Sequence, residues 1–200
     1  MPKPMKVHYD TEFLETPGGA IMPISIGMVR EDGKEYYAVY NDMDTLAVAR
    51  NEWLMENVMS SIRHFQFTSH LTGTGQPVRD FELTDKDSKP KSLIRGEILD
   101  FLSDIWPDFW AWYGAYDHVV LCQTFGRMID LPAKFPMFTS DLKQLNKLAG
   151  NPDMPQQPAG KHNALDDARF NVVRYNFLMD EIKRKDVARI SGILDRSHAG

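Results

Sequence analysis

The sequence predicts an α/β fold of three layers, in which a mixed β-sheet is flanked by helices. Three β-prone runs lie near the N-terminus, at residues 7–13, 21–29 and 35–40. Helical patterns follow, and an aromatic run at residues 109–113 interrupts them before a long helical pattern begins near residue 163. Strands followed by an alternation of helix and strand favour a helix-covered sheet over a β-sandwich or a helical bundle.

Turn-forming residues separate the N-terminal strands. A Pro-Gly-Gly sequence ends the first run, and it cannot continue a regular strand. The polar residues 31–34 connect the second run directly to the third. We therefore expect these two strands to pair as an antiparallel hairpin.

Helical spacing defines most of the remaining elements. Asp44 is a candidate N-cap for a helix with Leu46, Trp53, Leu54 and Val58 at helical spacing. A helix at residues 92–105 should end before Pro107, with an apolar stripe formed by Leu93, Ile94, Ile98, Phe101, Leu102 and Ile105. Further helices are expected at 116–128, 140–148 and 163–183, with a strand at 109–113 and a proline-rich loop at 151–158.

The segment 63–91 has little periodicity and is rich in Thr, Gly, Asp, Lys and Ser. This composition predicts a long loop or an insertion. No change of composition marks a domain boundary. We therefore expect a single domain over residues 1–200, with residues 186–200 as a flexible tail.

Composition limits the class of protein. A chain of 200 residues with 42% hydrophobic residues can build one sizeable core. Its longest apolar stretches are too short to span a membrane, and its N-terminus lacks the apolar stretch of a secretory signal, so we expect a soluble, cytoplasmic protein. Cys122 is the one cysteine of the sequence, cannot form an internal disulfide, and is interpreted as a small buried apolar residue.

The net charge of −5 argues against a protein that grips nucleic acid through a large basic surface. The objection weakens if four of the acidic side chains bind two divalent cations, because the metal then supplies positive charge locally. Charge alone therefore leaves a nucleic-acid substrate open.

An acidic pattern occurs on the first predicted strand. Side chains alternate faces along a strand, so Asp10 and Glu12 point the same way, about 6.6 Å apart along the chain. Two close carboxylates repel by about a few kcal/mol at an effective dielectric of about 20, and a divalent cation removes that repulsion. Magnesium or manganese suits an oxygen-ligand site better than zinc. Taken alone, the pattern also fits a solvated acidic strand face.

Two later segments add candidate residues. Asp117 follows the aromatic run at the start of a predicted helix, where the helix dipole by itself would also favour an acid. His162 lies just outside the last helix and Asp167 lies within its first two turns, so both can face a site at that end. Asp166 has a local explanation, because Asn163 is a candidate N-cap and an acid three residues later is stabilised there.

Together these residues resemble the DEDDh exonucleases, with Asp10-x-Glu12 on the first strand, Asp117 after a later strand, and His162 followed five positions on by Asp167. The chain is more closely similar to the bacterial polyadenylate-specific 3′-to-5′ exoribonucleases (RNase AS). The segments that carry this likeness are residues 9–13, 25–27, 35–39, 110–118 and 162–168. It spans the chain from Met5 to about Tyr175, while residues 63–91 and the tail after Lys185 carry none.

The resemblance implies a ribonuclease H-like fold, a homodimer and two bound Mg²⁺ ions, with Mn²⁺ able to substitute. Asp10, Glu12 and Asp167 would hold the first ion, and Asp10 with Asp117, partly through water, would hold the second. The implied substrate is a single-stranded nucleic acid with a free 3′ end, RNA favoured. The implied activity releases nucleoside 5′-monophosphates, with a preference for adenylate tails.

The residues also suggest a mechanism. Two cations about 3.5 to 4 Å apart can stabilise the attacking and the leaving oxygens of a phosphodiester. His162 is the candidate general base, because histidine exchanges protons near neutral pH. Phe13 adjoins the acidic strand and is the candidate contact for the terminal nucleotide, and it also fits a core position.

Three rival functions stay open from the sequence. A DNA-directed 3′-to-5′ exonuclease of proofreading or repair type would use the same acids and the same histidine. A metal-dependent endonuclease could use the same fold. A nucleic-acid-binding module that has lost catalysis belongs to a different class and would not require every candidate position to be filled.

Overall fold

A mixed β-sheet forms the centre of the molecule. The structure is a computed structural model, and it describes residues 4–62, 65–71, 77–83 and 86–197. Within these ranges the strands are β1 (Met5–Glu15), β2 (Ile21–Arg30), β3 (Glu35–Tyr40), β4 (Phe65–Leu71), β5 (Pro77–Leu83), β6 (Ser88–Lys89), β7 (Pro107–Ala111) and β8 (Ser140–Asp141). Six of these described strands form one sheet in the order β6-β3-β2-β1-β7-β8. The pairs β1–β2 and β2–β3 are antiparallel, whereas β1–β7, β3–β6 and β7–β8 are parallel.

Helices cover both faces of this sheet. In chain order the described helices are α1 (Thr45–Ala49), α2 (Glu52–Asn57), α3 (Lys91–Phe101), α4 (Ala115–Phe125), α5 (Leu142–Leu148) and α6 (Ala164–Ser197). On one face, Tyr9 of β1 is buried with Ile98 of α3 and Leu121 of α4. On the other face, α6 lies across β1 and β2, and its Tyr175 contacts the ring of His8. The predicted three-layer α/β architecture is therefore confirmed for the described residues, and it is consistent with a ribonuclease H-like fold.

The described helices also bear on the membrane question. None of them combines the length and the apolar character that crossing a bilayer requires. Cys122 is buried in α4 and packs in the main core, as its interpretation as a small apolar residue predicts.

The N-terminal elements agree with the sequence except at one helix. The predicted hairpin is formed by β2 and β3. Asp44 caps α1, because its carboxylate accepts a hydrogen bond from the Ala47 nitrogen at 3.0 Å. The helix expected after it is interrupted, because the side chain of Asn51 accepts a hydrogen bond from the Leu54 nitrogen at 3.0 Å and starts α2. A second capping side chain competes with continuation of the first helix, so α1 and α2 replace one longer element.

Residues 63–91 are predicted to form a long loop or an insertion, and the long loop is wrong for the part of this segment that the structure describes. β4 and β5 form an antiparallel pair that runs from Phe65 opposite Leu83 to Leu71 opposite Pro77. β6 extends the edge of the main sheet beside β3. Such pairing depends on backbone hydrogen bonds between strands, which a search for apolar periodicity within each run does not detect. Residues 63, 64, 72–76, 84 and 85 lie outside the described residues.

One predicted core position and several element boundaries differ from the structure. Leu93 was expected on the apolar stripe of α3, but it is 48% exposed. β7 ends at Ala111, so Trp112 and Tyr113 lie beyond the strand. The predicted flexible tail is helical over residues 186–197, because α6 continues to Ser197. Residues 198–200 of that tail lie outside the described part of the chain.

Gly27 determines how closely α6 approaches the sheet. It lies opposite Asp10 in the β1–β2 pair. A Cβ atom at this position would come closer than 3.0 Å to backbone atoms of Ala164 and Leu165. Because glycine has no Cβ, the first turn of α6 can rest directly on β2. This contact brings Asp167 of α6 to the part of the sheet that carries Asp10.

Candidate active site

A group of carboxylates forms where the start of α6 crosses β1. Asp10 and Glu12 lie on the same face of β1, and Asp167 reaches them from the first turns of α6. Each of these three side chains offers an oxygen atom, and the oxygens all lie within 4.8 Å of one another. Glu12 is 9% exposed, and Asp10 and Asp167 are half-buried. The structure thus brings together three of the residues that the sequence analysis selected as metal ligands.

These carboxyl groups are costly to ionise without a counter-charge. Burial, followed by the charges of Asp167 and Asp117, raises the pKa of Glu12 to about 8. Burial also raises the pKa of Asp10 well above its usual range, and the charges of the neighbouring acids add to this effect. The pKa of Asp167 is raised as well, chiefly by burial. A divalent cation between the oxygens would supply the missing positive charge, and an all-oxygen ligand set suits Mg²⁺ or Mn²⁺.

Asp117 lies beside this group in a different arrangement. It is buried in the first turn of α4, and its Oδ1 accepts hydrogen bonds from the Thr11 backbone nitrogen at 2.8 Å and from the Thr11 hydroxyl at 2.7 Å. Burial raises the pKa of Asp117 to about 7, although the hydrogen bonds from Thr11 lower it. Asp117 lines the same cleft as Asp10 and Glu12. Thr11 thus binds one carboxylate oxygen of Asp117, Oδ1, through two hydrogen bonds.

The start of α6 separates the roles of adjacent acids. The Asn163 side chain accepts hydrogen bonds from the Leu165 and Asp166 backbone nitrogens, both at 3.2 Å, which confirms Asn163 as the N-cap. Asp166 forms an ion pair with Arg169 at 2.7 Å. Asp167 joins the carboxylate group instead. The choice of Asp167 over Asp166 as a candidate ligand therefore agrees with the geometry.

His162 is held on the rim of the same cleft. Its backbone nitrogen donates to Asp167 Oδ2 at 2.8 Å, and its carbonyl accepts from the Ser61 hydroxyl at 2.7 Å. The residue has a left-handed backbone with a φ of 63°, which is uncommon outside glycine. Its ring meets the ring of Trp53 edge-on, with 5.0 Å between the centroids. These contacts determine where the imidazole lies relative to the carboxylates.

The cleft has a volume of about 360 Å³ and contains every residue that the sequence analysis proposed for the site. Phe13 is half-buried, and its ring contacts that of Tyr116 with 5.4 Å between the centroids. Phe13 therefore lines the cleft, and it is not part of the two hydrophobic clusters that the described residues form on the faces of the sheet.

The cleft also contains residues that the sequence analysis did not assign, namely Thr11, Trp112, Tyr113, Tyr116, Gln157, Lys161 and Arg174. Arg174 follows Asp167 by about two helical turns, so the helical period could have placed both on one side of α6. Tyr113, two residues after the end of β7, has a φ of 59°, and no sequence signal marks that backbone conformation. Gln157 lies in the proline-rich loop, where no periodicity exists to reveal it.

Similarity to known proteins covers most of the chain. The protein family described as "3′-5′ exoribonuclease Rv2179c-like domain" matches this chain over residues 5–179. The chain belongs to this family. The 3′-5′ exoribonuclease Rv2179c of Mycobacterium tuberculosis (strain ATCC 25618 / H37Rv) is 38% identical over 175 residues, which cover 87% of this chain and 93% of that protein. The 3′-5′ exoribonuclease MT2234.1 of Mycobacterium tuberculosis (strain CDC 1551 / Oshkosh) has the same identity and coverage.

Family membership confirms the expected exoribonuclease relationship at the level of the family. The matched residues 5–179 include the whole carboxylate group and His162. They also include the segment 63–91, for which the sequence analysis found no likeness. The narrower resemblance to the DEDDh and RNase AS proteins stays a prediction.

Proposed function

We propose that this chain is a metal-dependent 3′-to-5′ exoribonuclease that releases nucleoside 5′-monophosphates from single-stranded RNA. The observation that carries the proposal is the carboxylate group of Asp10, Glu12 and Asp167, with Asp117 and His162 in the same cleft. Membership of a 3′-5′ exoribonuclease family supports the reaction and its direction.

Two divalent cations are the proposed cofactors, Mg²⁺ with Mn²⁺ as a substitute. Asp10, Glu12 and Asp167 would hold one ion, and Asp10 with Asp117, partly through water, would hold the other. When bound, such ions stabilise negative charge on phosphodiester oxygens and ease the deprotonation of water. The raised pKa of Glu12 supports this assignment, because a nearby cation favours the charged form that burial disfavours.

His162 is the proposed general base. Its backbone N–H binds Asp167, so the imidazole is attached directly beside a proposed metal ligand. Trp53 limits the positions that the ring can take, and Ser61 holds the backbone that carries it. An imidazole held in this way can take a proton from the attacking water and pass it to solvent through the open cleft.

Aromatic side chains provide the proposed grip on RNA. Phe13, Tyr113 and Tyr116 lie in the cleft, and Tyr113 is 62% exposed. Stacking of a base on such a ring contributes about 1 to 3 kcal/mol and tolerates any sequence. The Lys143 ammonium lies 5.2 Å from the centroid of Trp112, so positive charge is available beside the aromatic residues despite the negative net charge. The proposed adenylate preference rests on the resemblance, since stacking does not explain it.

Digestion of 5′-labelled single-stranded RNAs tests both direction and base preference. We expect a Mg²⁺-dependent ladder that shortens from the 3′ end, fastest through adenines, and slower digestion of the matching DNA. A circular RNA of the same sequence should stay intact. Cleavage of the circle would indicate an endonuclease, and preferential loss of the DNA would indicate the DNA-directed alternative.

Adjacent carboxylates provide a matched pair of variants. Asp167→Asn should lower turnover by about 10²- to 10³-fold, because it removes a charge that positions the reaction centre. Asp166→Asn removes the same charge from the neighbouring residue, which pairs with Arg169, and should retain nearly full activity. Initial rates on an A-tailed RNA measure both. Equal loss of activity in the two variants would contradict the assigned site.

A homodimer is also proposed, on the basis of the resemblance. Large apolar side chains on the surface are compatible with a partner, and they include Ile129, Met137 and Phe138. Light scattering should then give a mass near twice the 22.9 kDa of one chain. A mass of one chain at micromolar concentration would argue against the dimer. The cytoplasmic location stays a prediction.

A further inference from the structure

Arg174 brings a positive charge into the carboxylate cleft. It lies on α6 about two helical turns after Asp167, lines the cleft and is half-buried. Its charge acts on both Asp10 and Asp167 and favours their ionised forms. Burial lowers the pKa of Arg174, and the charges of Asp167 and Asp10 offset this effect. A guanidinium nevertheless stays charged in proteins, so this residue is a fixed cation of the site.

The guanidinium is held by rings and by a chain of hydrogen bonds. Its central carbon lies 4.8 Å from the ring centroid of Trp112 and 4.7 Å from that of Phe170. Nη1 donates to the Asn171 side-chain oxygen at 2.7 Å. Asn171 is fully buried, and its amide donates to the Tyr9 carbonyl at 3.1 Å. Arg174 is therefore tied to the residue that precedes Asp10 on β1.

The remaining donors of Arg174 are available to a ligand. A guanidinium carries five N–H groups. Within the described part of the chain, Arg174 donates one hydrogen bond, to Asn171, and forms no ion pair. Arg169, five residues earlier on α6, instead binds the carboxylates of Glu35 and Asp166 directly. Arg169 and Arg174 of α6 thus differ, because Arg169 is neutralised by protein carboxylates and Arg174 faces the cleft.

A fixed cation beside proposed metal ligands has an electrostatic cost. Its charge opposes the binding of divalent cations to Asp10 and Asp167, since like charges repel. An anion that lies between the guanidinium and the metal ions would be attracted to both, and this attraction would offset their repulsion. A phosphodiester group has that charge, and its oxygens match the planar N–H groups of arginine.

We propose that Arg174 is a substrate-binding residue that holds the scissile phosphate of the RNA against the carboxylate group. This inference rests on the proposed function, because it requires a phosphodiester in the cleft. Arg174 then contributes to catalysis by placing the reacting phosphate, and Asn171 acts as a positioning residue for Arg174. A purely structural role would instead make Arg174 a counter-charge that keeps Asp10 and Asp167 in place.

These two roles predict opposite responses to metal. Arg174→Met keeps a long apolar side chain for the Trp112 and Phe170 rings and removes the charge. With a phosphate-binding Arg174, the variant should bind Mn²⁺ at least as tightly as the wild type in the absence of RNA. With a structural counter-charge, the carboxylates would lose their arrangement and Mn²⁺ affinity would fall. Calorimetric titration with Mn²⁺ measures this difference without any turnover.

RNA binding provides the second readout. In Ca²⁺, chosen as a non-catalytic ion, fluorescence anisotropy with a short A-tailed RNA should show about a 10- to 100-fold loss of affinity for Arg174→Met, the size expected for charged hydrogen bonds. Arg174→Lys keeps the charge without the planar donors, so its affinity for RNA should lie between those of the wild type and Arg174→Met. Arg184→Met is the matched control, because Arg184 lies on the same helix, is exposed and pairs with Glu181. It should bind RNA as the wild type does.

A neutral linkage in the RNA identifies the phosphate. With a methylphosphonate at the terminal linkage, wild type and Arg174→Met should bind the RNA equally, whereas with a methylphosphonate at the next linkage the difference should persist. The reverse pattern, or a parallel fall in Mn²⁺ affinity, would overturn the inference. A wild-type protein that binds no Mn²⁺ and digests no RNA would refute the proposed function itself. A normal wild type with an indistinguishable Arg174→Met would refute this inference alone.

Discussion

At the scale of single residues, neighbouring side chains have different roles because they point in different directions. Asp166 is neutralised by Arg169, while Asp167 turns into the cleft and accepts a hydrogen bond from the His162 backbone. A similar contrast occurs on β1, where Thr11 lies between Asp10 and Glu12 and donates to Asp117, whereas its two neighbours belong to the carboxylate group. Residue identity therefore gives the chemistry, and side-chain direction decides which groups can act together.

His162 gives the clearest test at this scale. His162→Ala should lower turnover by about 10²- to 10⁴-fold, the usual contribution of a general base, and leave the thermal stabilisation by Mn²⁺ nearly intact. Initial rates and melting curves with and without Mn²⁺ measure the two effects. His118→Ala is a control, because His118 lies outside the cleft on α4. If His162→Ala also lost the stabilisation by Mn²⁺, His162 would have to be reassigned as a metal ligand.

At the scale of elements, the site depends on the close approach of α6 to the β1–β2 hairpin. The start of α6 rests on the backbone at Gly27. The buried Asn171, also on α6, donates a hydrogen bond to the carbonyl of Tyr9 on β1. The carboxylate of Asp167 and the guanidinium of Arg174 are therefore placed by one helix against one strand. A small displacement of α6 should affect metal binding and substrate binding together.

Gly27→Ala tests this packing. The added methyl group would come closer than 3.0 Å to the backbone of Ala164 and Leu165, so α6 has to move. We expect a destabilisation of about 1 to 3 kcal/mol and at least about a 10-fold loss of turnover. Melting curves and initial rates measure both.

Gly96→Ala is the matched control, because a Cβ at Gly96 of α3 would meet nothing within 4 Å. That substitution should leave turnover unchanged and raise stability slightly, by about 0.5 to 1 kcal/mol, since alanine favours a helix. Full activity of Gly27→Ala would show that the approach of α6 does not control the site.

At the scale of the whole molecule, the protein has more acidic than basic side chains, and several of the acidic ones lie together in one cleft. The buried carboxyls there keep their protons to a higher pH than free ones, as the pKa of about 8 for Glu12 illustrates. Other carboxyls, such as Asp104, have their pKa lowered to about 2 by ion pairing, here with Arg30, and do not titrate near neutral pH. The stability of the metal-free protein near neutral pH should therefore respond chiefly to the site.

This difference predicts a pH dependence with a definite sign. Between pH 6.5 and 8, unfolded Glu12 is ionised and folded Glu12 still binds a proton, so the folded state binds more protons and the free energy of unfolding falls as pH rises. The slope is up to about 1.4 kcal/mol per pH unit for each such carboxyl. Burial lowers the pKa of His8 to about 4, which acts in the opposite direction only below pH 6.5. Denaturant unfolding in EDTA at a series of pH values measures the slope.

Metal and mutation provide the controls for that slope. Saturating Mn²⁺ should flatten it, because the bound cation favours the ionised carboxylates. Glu12→Gln should reduce it in EDTA, because the titrating group is gone. A metal-free protein whose stability rises from pH 6.5 to 8 would contradict the electrostatics described for the site.

Much of the fold and the site could be predicted because the signals are local. Alternation along β1 placed Asp10 and Glu12 on one face, and the cap at Asn163 located the start of α6. The turn at residues 31–34 predicted the β2–β3 hairpin. Each of these depends on backbone geometry within a few residues, which the order of side chains specifies directly.

Other features were decided by tertiary structure alone. They join residues that are separated in the chain. Examples are the pairing of β4 with β5, the hydrogen bond from Thr11 to Asp117 and the contact of the Arg174 guanidinium with the Trp112 ring. No local period encodes them, because they arise only when the sheet and helices pack and buried polar groups must find partners. The sequence by itself determined most of the element types and the acids available for a metal site. Packing determined which acids converge and that Arg174 lies beside them in the same cleft.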